Sequence, residues 1–559
     1  MRVMRGGRRM HRIYILLAAC GAALLSTPAR PQQRTPNASR SSTATFPKGR
    51  PDVARFASRV AAILAEPHAA KATWGILIVD RDSGQTLYDR HADGFFTPAS
   101  NTKLFTSAFA LSALGSDYHF HTTIETATPP DAQGRVHGDI VLVGRGDPDL
   151  SNRKFPYLKK AEREGPEDKV LEELADGVAA KGVKQIDGDI VADESYFFYD
   201  PYPEGWAIGD LYFEFGAPIT AIALNDNALT IAVQPGEHAG DPAILAVEPW
   251  AGYETFAHDI TTAPANAKAK FSVVRGPGPH PVFLRGSIPA GAAPMKLDIA
   301  LDEPAEYSAR ILHLLLEARG VRVVGGTRVV HGPLPDRDAS GAVSLVPPPE
   351  NNADAAGPPV VLAEHVSPPL LESIRLLNKI SQNLHAELIL RTVAKEKTGV
   401  GTTDAGIEIE GAFLRSIGIA DGDVVLADGS GLSRQNLVTP RAVVELLQYA
   451  SKQPWGDSFI STLPVAAVDG TLEDRMKGTA AAGRILAKTG SHDHVRVISG
   501  YATTSRDAHL IFSIFTNNDP APPHETTTVE DSIAVAMVEE IRPAPRKSAA
   551  PAHSAPRSH

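Results

Sequence analysis

The feature of this chain that most constrains its fold is a change of sequence character along its length. Residues 51–123 and 356–542 combine helical and strand patterns, whereas residues 124–355 carry short strand patterns separated by Gly, Pro and Asp turns. Because 559 residues exceed what one ordinary hydrophobic core contains, several packed units are required. We therefore predict one discontinuous domain, built from the two outer segments and interrupted by a strand-rich insert.

The outer segments predict an α+β unit in which helices flank an antiparallel sheet. Residues Trp74–Val79 form an apolar strand pattern, and the turn Asp82–Gly84 leads into Thr86–Tyr88, which predicts a hairpin. Apolar periodicity predicts further elements of the same unit. These are helices at 54–65, 100–114 and 528–541, helical structure from 367 onward, and strands at 484–488, 495–501 and 510–516.

In the insert, two segments share the pattern Gly-Asp-Ile-Val, at 138–141 and at 188–191. We interpret them as two similar entries from a turn into a strand. A helix at 306–319, followed by a strand at 321–324, is predicted near the end of the insert.

Both ends of the chain have the composition of segments outside the folded units. Five arginines precede the apolar run 13–25, which predicts a signal peptide at 1–29. Cleavage after Thr27-Pro28-Ala29 is favoured, while lipid attachment at Cys20 and retention as an uncleaved anchor are the alternatives. Residues 30–50 predict a flexible lead-in and residues 543–559 a disordered tail. We thus expect an exported protein of the periplasm or cell envelope, for which a loose membrane association is also an option.

Composition and the cysteine count bear on several classes of function. The formal net charge is −10, which does not suggest the basic surface that nucleic acid requires. Cys20 is the one cysteine and lies in the predicted leader, so the body has no disulfide, no thiolate metal site and no cysteine nucleophile. The histidines are scattered and H-E-x-x-H is absent, so we predict neither a metal nor another cofactor.

The first candidate for chemistry is Ser100-Asn101-Thr102-Lys103, at the start of a predicted helix. Residues three apart share one face of a helix, so the Lys103 amine can reach the Ser100 hydroxyl. A lysine has an ordinary pKa of about 10.4, and it accepts a proton at neutral pH only where burial or a nearby cation lowers that value. The same spacing occurs in many helices with a solvated lysine, so this motif alone is a weak signal.

The second candidate is Ser381-Gln382-Asn383. A serine hydroxyl can relay a proton, and an asparagine amide offers both a donor and an acceptor to a substrate peptide bond. Taken alone, this motif is equally typical of an ordinary loop.

The third candidate is Lys488-Thr489-Gly490-Ser491, at the end of an apolar strand pattern. An ammonium group and hydroxyls can hold the terminal carboxylate of a substrate, and Gly490 lets a ligand approach the backbone closely. Taken alone, the motif is also compatible with a solvated strand end.

In this order, the three motifs resemble the S-x-x-K, S-x-N and K-T-G set of penicilloyl-serine enzymes. Ser381 follows Ser100 by 281 positions, a much longer separation than in class A β-lactamases or simple carboxypeptidases. The long insert resembles class C low-molecular-mass penicillin-binding proteins, the D-alanyl-D-alanine carboxypeptidase/endopeptidase family. Further segments similar to that family are 144–150, 193–195, 205–206, 223–227, 428–434 and 469–472.

The resemblance implies a penicillin-binding/β-lactamase-like domain interrupted by two small inserted domains. It also implies catalytic roles: Ser100 would be acylated, Lys103 would be the base in acylation, and Ser381 would shuttle a proton. The backbone N–H groups of Ser100 and Ser491 would form the oxyanion hole.

The same resemblance implies that the other motif residues bind substrate. Asn383 would hold the substrate backbone, and Lys488 would supply positive potential. Thr489 and Ser491 would bind the substrate carboxylate, or its mimic in a drug.

The segment that follows the third motif matches no fixed family pattern at three positions, His492, His494 and Arg496. The histidines either contact substrate or are exposed turn residues, and we favour exposed turn residues.

The sequence thus predicts a serine-type D-alanyl-D-alanine carboxypeptidase/endopeptidase. Its partners would be peptidoglycan stem peptides, with β-lactam antibiotics as covalent inhibitors. One alternative is a β-lactamase or D-amino-peptide esterase on the same fold, against which the long insert argues. Another is a non-catalytic cell-wall-binding protein, against which the complete motif set argues. The sequence sets neither the oligomeric state nor the balance between carboxypeptidase and endopeptidase action.

Overall fold

The computed structural model describes residues 44–247, 251–252, 256–276, 281–337 and 358–543. The predicted leader at 1–29 and the tail beyond 543 lie outside the described residues, as does most of the lead-in at 30–50. Within the described ranges, no helix combines the length and the apolar character that spanning a membrane requires.

The first outer segment carries two helices and a hairpin close to the predicted positions. Its elements are α1 (Pro51–Leu64), β1 (Thr73–Asp80), β2 (Thr86–Arg90) and α2 (Thr102–Leu114). The helix predicted from residue 100 begins two residues later, because Ala99 has a φ of 47° and Ala99–Asn101 form a separate 3₁₀ turn.

The middle region, defined here as the stretch from β3 to β17, is strand-rich as predicted. Its elements are β3 (His121–Thr126), β4 (Arg135–Val136), β5 (Ile140–Val143), α3 (Lys169–Ala180), β6 (Gln185–Ile186), β7 (Ile190–Asp193), β8 (Ala228–Gln234), β9 (Ile244–Val247), β10 (Phe256–His258), β11 (Thr261–Ala263), β12 (Lys270–Val274), β13 (Val282–Pro289), β14 (Met295–Ala300), α4 (Pro304–Ala318), β15 (Arg322–Val323), β16 (Thr327–Val330) and β17 (Val360–Val366).

The second outer segment is helical first and then alternates strands and helices. Its elements are α5 (Leu370–Ile380), α6 (Asn383–Thr398), α7 (Thr403–Ser416), β18 (Val424–Val425), β19 (Leu437–Val438), α8 (Pro440–Ala450), α9 (Gly456–Thr462), β20 (Ile485–His492), β21 (Val495–Thr503), β22 (His509–Asn517) and α10 (Pro523–Glu540).

The two outer segments share one sheet with the strand order β2-β1-β22-β21-β20, in which every neighbouring pair is antiparallel. Alternate residues of β1 enter different cores, as the two-residue period of a strand requires. Trp74 and Ile76 pack with α1 and α10, whereas Leu77 and Val79 pack with α2, α5, α6 and α8. The α+β fold with a sheet between helical layers is therefore confirmed.

The middle region contains two further cores. One lies between helices α3 and α4 and the sheet β16-β7-β5-β3-β17, and includes Leu142 and Leu312. The other lies between the strand groups β14-β8-β9 and β10–β13, and includes Ile231 and Leu284. The two Gly-Asp-Ile-Val segments lead into β5 and β7, which pair in parallel with Ile140 opposite Ile190.

The sequence-based boundaries of the insert cut across one sheet of the structure. Strand β3 pairs with β17, so residues 121–123 and 360–366 belong to the middle region. Both lie outside the insert predicted at 124–355. The pattern at these positions did not show the correct boundary, because strands occur on both sides of it.

Candidate active site

Ser100 lies in the 3₁₀ turn that precedes α2, beside the edge strand β20. Helix α2 holds this turn in place because its first ten residues, 102–111, are buried, with Leu104 and Phe105 fully inaccessible to solvent. A Cβ on Gly431 would lie 1.9 Å from the carbonyl oxygen of Ala99, so the neighbouring loop approaches the turn more closely than another residue would allow. The serine is thereby held at the mouth of a cleft.

Lys103 is fully buried beneath Ser100. Its Nζ lies 2.9 Å from Ser100 Oγ, 2.6 Å from Asn383 Oδ1 and 2.6 Å from the Ser430 carbonyl oxygen. Burial lowers the pKa of Lys103 to about 7, against the opposing effect of nearby carboxylates. A substantial fraction of the amine is therefore neutral near pH 7.

Lys488 is the second buried amine of the site. Its Nζ donates to Ser381 Oγ at 2.9 Å and to the Thr489 carbonyl at 2.8 Å. Burial and the neighbouring Lys103 both lower the pKa of Lys488 well below its usual value. Protonation of both amines at once is therefore unfavourable, because the two positive charges repel each other.

The S-x-N motif lies between helices α5 and α6. Ser381 ends α5 with a φ of 65°, and Asn383 is the first residue of α6. The Asn383 amide bridges two regions: its Oδ1 accepts from Lys103, and its Nδ2 donates to the Phe215 carbonyl at 2.7 Å.

The K-T-G motif lies on β20, with the Thr489 hydroxyl donating to Thr471 Oγ1 at 2.7 Å. Gly490 passes close to the nucleophile: a Cβ there would lie 2.7 Å from the Pro98 carbonyl oxygen and 3.0 Å from Ser100 N. Only glycine fits this approach without displacing the turn that carries Ser100.

These elements enclose a cleft of about 480 Å³. The structure brings the eight sequence-predicted site residues together, two of them as the buried amines Lys103 and Lys488. The other six line the cleft: Ser100, Ser381, Asn383, Thr489, Gly490 and Ser491.

Sequence reasoning assigned no role to the loop that supports Lys103, residues 428–433. Asp428 accepts from the N–H groups of Gly431 and Ser433 at 2.7 and 2.6 Å. Glu387 accepts from Ser430 N at 2.7 Å. The sequence did contain one signal for this support: Glu387 is four residues after Asn383, so both side chains lie on the same face of one helix.

Residues after the K-T-G motif differ in their positions. His492 Nε2 lies 2.8 Å from the Gly431 carbonyl oxygen, and both His492 and Arg496 line the cleft. The expectation of an exposed turn residue is therefore wrong for His492, whereas His494 is an exposed residue of the β20–β21 turn with a φ of 63°.

The middle region also contributes Asp210 and Phe215 to the cleft wall. Among the residues that the structure describes, no group of three His, Cys, Asp or Glu side chains is arranged to hold a metal ion.

Comparisons with known proteins agree with this geometry. A D-alanyl-D-alanine carboxypeptidase of Actinomadura sp. is 35% identical over 491 residues, which cover 86% of this chain and 83% of that protein. The D-alanyl-D-alanine carboxypeptidase DacB of Haemophilus influenzae is 26% identical over 452 residues, which cover 79% of this chain and 85% of that protein.

Among solved structures, penicillin binding protein 4 (dacB) from Haemophilus influenzae has the same fold, with a TM-score of 0.69 and 24% identity. The match covers 85% of this chain and 97% of that chain. A family model described as D-Ala-D-Ala carboxypeptidase 3 (S13) matches residues 56–344 and 351–539. The chain therefore belongs to the D-Ala-D-Ala carboxypeptidase 3 (S13) family of serine-type penicillin-binding hydrolases.

Proposed function

We propose that this serine-type D-alanyl-D-alanine carboxypeptidase trims peptidoglycan stem peptides through an acyl intermediate on Ser100. The observation that carries the proposal is the set of three partners around the buried Lys103 amine. A neutral amine has two N–H groups and one lone pair. Because Asn383 Oδ1 and the Ser430 carbonyl only accept hydrogen bonds, they take the two N–H groups, and the lone pair is left for the Ser100 hydroxyl.

Acylation starts when Lys103 Nζ takes the Ser100 hydroxyl proton, while Ser100 Oγ bonds to the carbonyl carbon of the penultimate D-alanine. The negative charge that forms on the carbonyl oxygen is stabilised by the backbone N–H groups of Ser100 and Ser491. One such donor contributes about 10²–10³ in rate.

The leaving group needs a proton when the peptide C–N bond breaks. Ser381 Oγ supplies it to the amine of the terminal D-alanine and is resupplied by Lys488 Nζ, 2.9 Å away. Lys103 has gained a positive charge by this point, which further favours proton release from Lys488.

Water then attacks the ester carbon and gives one proton to Lys488 Nζ, which lost a proton during acylation and regains its charge here. Ser100 Oγ leaves the tetrahedral carbon and takes a proton from Lys103, which restores the free enzyme. No cofactor takes part in these steps, since each one is a proton transfer or an acyl transfer.

Substrate binding follows the same arrangement. The terminal carboxylate binds the hydroxyls of Thr489 and Ser491 on β20, within the positive potential of Lys488. The Asn383 amide binds the backbone of the peptide. A β-lactam ring presents an acyl carbon and a carboxylate in similar positions, so it acylates Ser100 as a covalent inhibitor.

Two finer statements belong to the same proposal. The site also cuts cross-links between stem peptides, because such a bond is likewise adjacent to a D-residue. The protein is exported to the periplasm or cell envelope, as the arginine-led apolar segment before residue 29 supports.

Intact-mass spectrometry of the purified mature protein, with and without a penicillin, tests the proposal. We expect a stable increment of one drug molecule, mapped by peptide analysis to Ser100, and an N-terminus beyond the leader. The catalytic proposal is supported in full if the enzyme also releases D-alanine from a pentapeptide.

Other outcomes select the alternatives. Drug consumption without a lasting adduct would indicate a β-lactamase, and intact drug without an adduct would indicate a wall-binding protein with an inactive site. Release of D-alanine without cleavage of a cross-linked peptide would exclude the endopeptidase activity alone.

A further inference from the structure

The middle region reaches the catalytic residues through residues 204–216, which we call the docking loop. This loop lies between β7 and β8 and contacts the 428–433 loop by two hydrogen bonds. Trp206 Nε1 donates to Asp428 Oδ2 at 2.9 Å. Ser433 Oγ donates to the Glu204 carbonyl at 2.7 Å. The contact is close, since a Cβ on Gly205 would lie 2.4 Å from Ser433 Oγ.

A third hydrogen bond joins the docking loop to the S-x-N motif. The Phe215 carbonyl accepts from Asn383 Nδ2 at 2.7 Å. Because this carbonyl cannot donate, it fixes which way the Asn383 amide points and leaves Oδ1 directed at Lys103 Nζ.

The contact with Asp428 also leads to Lys103. Asp428 accepts from Gly431 N, which belongs to the same peptide group as the Ser430 carbonyl, and from Ser433 N, so it holds this peptide in one conformation. The Ser430 carbonyl in turn accepts from Lys103 Nζ at 2.6 Å. Both acceptors that orient the Lys103 amine are therefore tied to the docking loop.

We propose that the docking loop is a positioning element for the general base, with Trp206 as its main side-chain contributor. It holds Asn383 Oδ1 and the Ser430 carbonyl so that the Lys103 lone pair, rather than an N–H, faces Ser100. The inference rests on the proposed role of Lys103. A shift of about 1 Å in such a constellation can lower a rate by about 10²-fold.

The test compares Trp206→Phe with the wild-type enzyme in acylation by a small penicillin. This substitution keeps an aromatic ring and removes the indole N–H that reaches Asp428. Trp206 is not among the residues that line the cleft, so drug binding before the covalent step should not change. We expect the rate constant of acylation per titrated active site to fall about tenfold, while the dissociation constant of the non-covalent complex stays within twofold of wild type.

Trp74→Phe is the matched control. Trp74 Nε1 likewise donates one hydrogen bond at 2.9 Å, in this case to the Ala69 backbone carbonyl. Trp74 packs on the α1 and α10 side of the sheet, away from Lys103. We expect this variant to lose thermal stability and to keep the wild-type acylation rate constant, which separates general destabilisation from positioning.

Ser433→Ala provides a second variant, because it removes the other side-chain tether to the docking loop. If Trp206→Phe yields no folded protein, Ser433→Ala decides the test, and an acylation rate constant equal to wild type would overturn the proposal. The proposal is also overturned if Trp206→Phe folds and acylates at the wild-type rate. If the wild-type protein itself forms no adduct on Ser100, the proposed function fails, and the positioning role fails with it.

Discussion

The outer segments and the middle region contribute to this site in different ways. The reactive side chains Ser100, Lys103 and Lys488 come from α2, its preceding turn and β20, all in the outer segments. The middle region contributes an indole N–H and two backbone carbonyls through the docking loop, and buried charges behind α6. The comparison indicates that the outer segments supply the reactive groups and the acceptors that contact them, whereas the middle region acts on those acceptors from behind.

The two regions also differ in how they accommodate a buried carboxyl group. Asp226 of the middle region pairs with Arg153 at 2.5 Å and with His385 of α6 at 3.1 Å. Burial alone would raise the pKa of Asp226, but these partners hold it well below its usual value. Glu410 of α7 is also buried, and neither of its carboxyl oxygens has a hydrogen-bond partner among the described residues. Burial raises its pKa to about 8, with a further contribution from neighbouring carboxylates.

The largest expected effect tests whether the chemistry belongs to the outer segments. Ser100→Ala should lower D-alanine release by at least about 10³-fold, because no acyl intermediate can form. Ser112→Ala, at an exposed position of α2, the helix that follows Ser100, should retain wild-type activity. Release of D-alanine from a pentapeptide measures both variants. Substantial activity in Ser100→Ala would assign the nucleophile to another residue.

The next effect concerns the contact between the middle region and α6. Arg153→Met should lower the free energy of unfolding by about 3 kcal/mol, because it leaves the buried Asp226 carboxylate with weaker partners. Arg328→Met is the control: Arg328 pairs with Asp139 at 2.6 Å on the surface, and its loss should change stability by at most about 1 kcal/mol. Urea unfolding measures both, and equal losses in the two variants would contradict the distinction.

The pH dependence of acylation should have an acidic limb with a midpoint near pH 7, the pKa of Lys103. Below that pH, Lys103 is an ammonium group and cannot accept the Ser100 proton. The rate constant should therefore fall about tenfold for each pH unit, well below the midpoint. Stopped-flow acylation between pH 5 and 8 measures it, and a rate that stays constant down to pH 5 would exclude Lys103 as the base.

The smallest effect sharpens the contrast between the two carboxyl groups. The folded-state pKa of Glu410 is raised, so its contribution to stability is present at low pH and is lost as pH rises toward 8. Glu410→Gln removes this titration. The unfolding free energy of the variant minus that of wild type should therefore rise by on the order of 2 kcal/mol as the pH is raised from 5 to 8. A difference between the two proteins that is independent of pH would show that Glu410 does not titrate in this range.

Local spacing predicted much of the site. Ser100 and Lys103 share a face because they are three residues apart at a helix start, and the structure places their side-chain atoms 2.9 Å apart. Gly490 was predicted to let a ligand approach the backbone, and this stays a prediction; the structure shows a different close approach, in which the backbone at Gly490 passes next to the turn of Ser100. The partners of Lys103 were only partly predictable, because the Ser430 acceptor is a backbone carbonyl, and a backbone group has no side-chain signature in a sequence.

The sequence by itself determined the order of the three motifs, the faces on which their side chains lie and the alternation that builds the sheet. These properties follow from helical and strand periodicity, which acts over a few residues. The tertiary structure decided that Lys103 and Asn383, 280 positions apart, meet, that the docking loop contacts Asp428, and that the pKa of Lys103 falls to about 7. Burial and long-range contacts exist only after the two outer segments close into one sheet, because desolvation depends on every group that surrounds the amine.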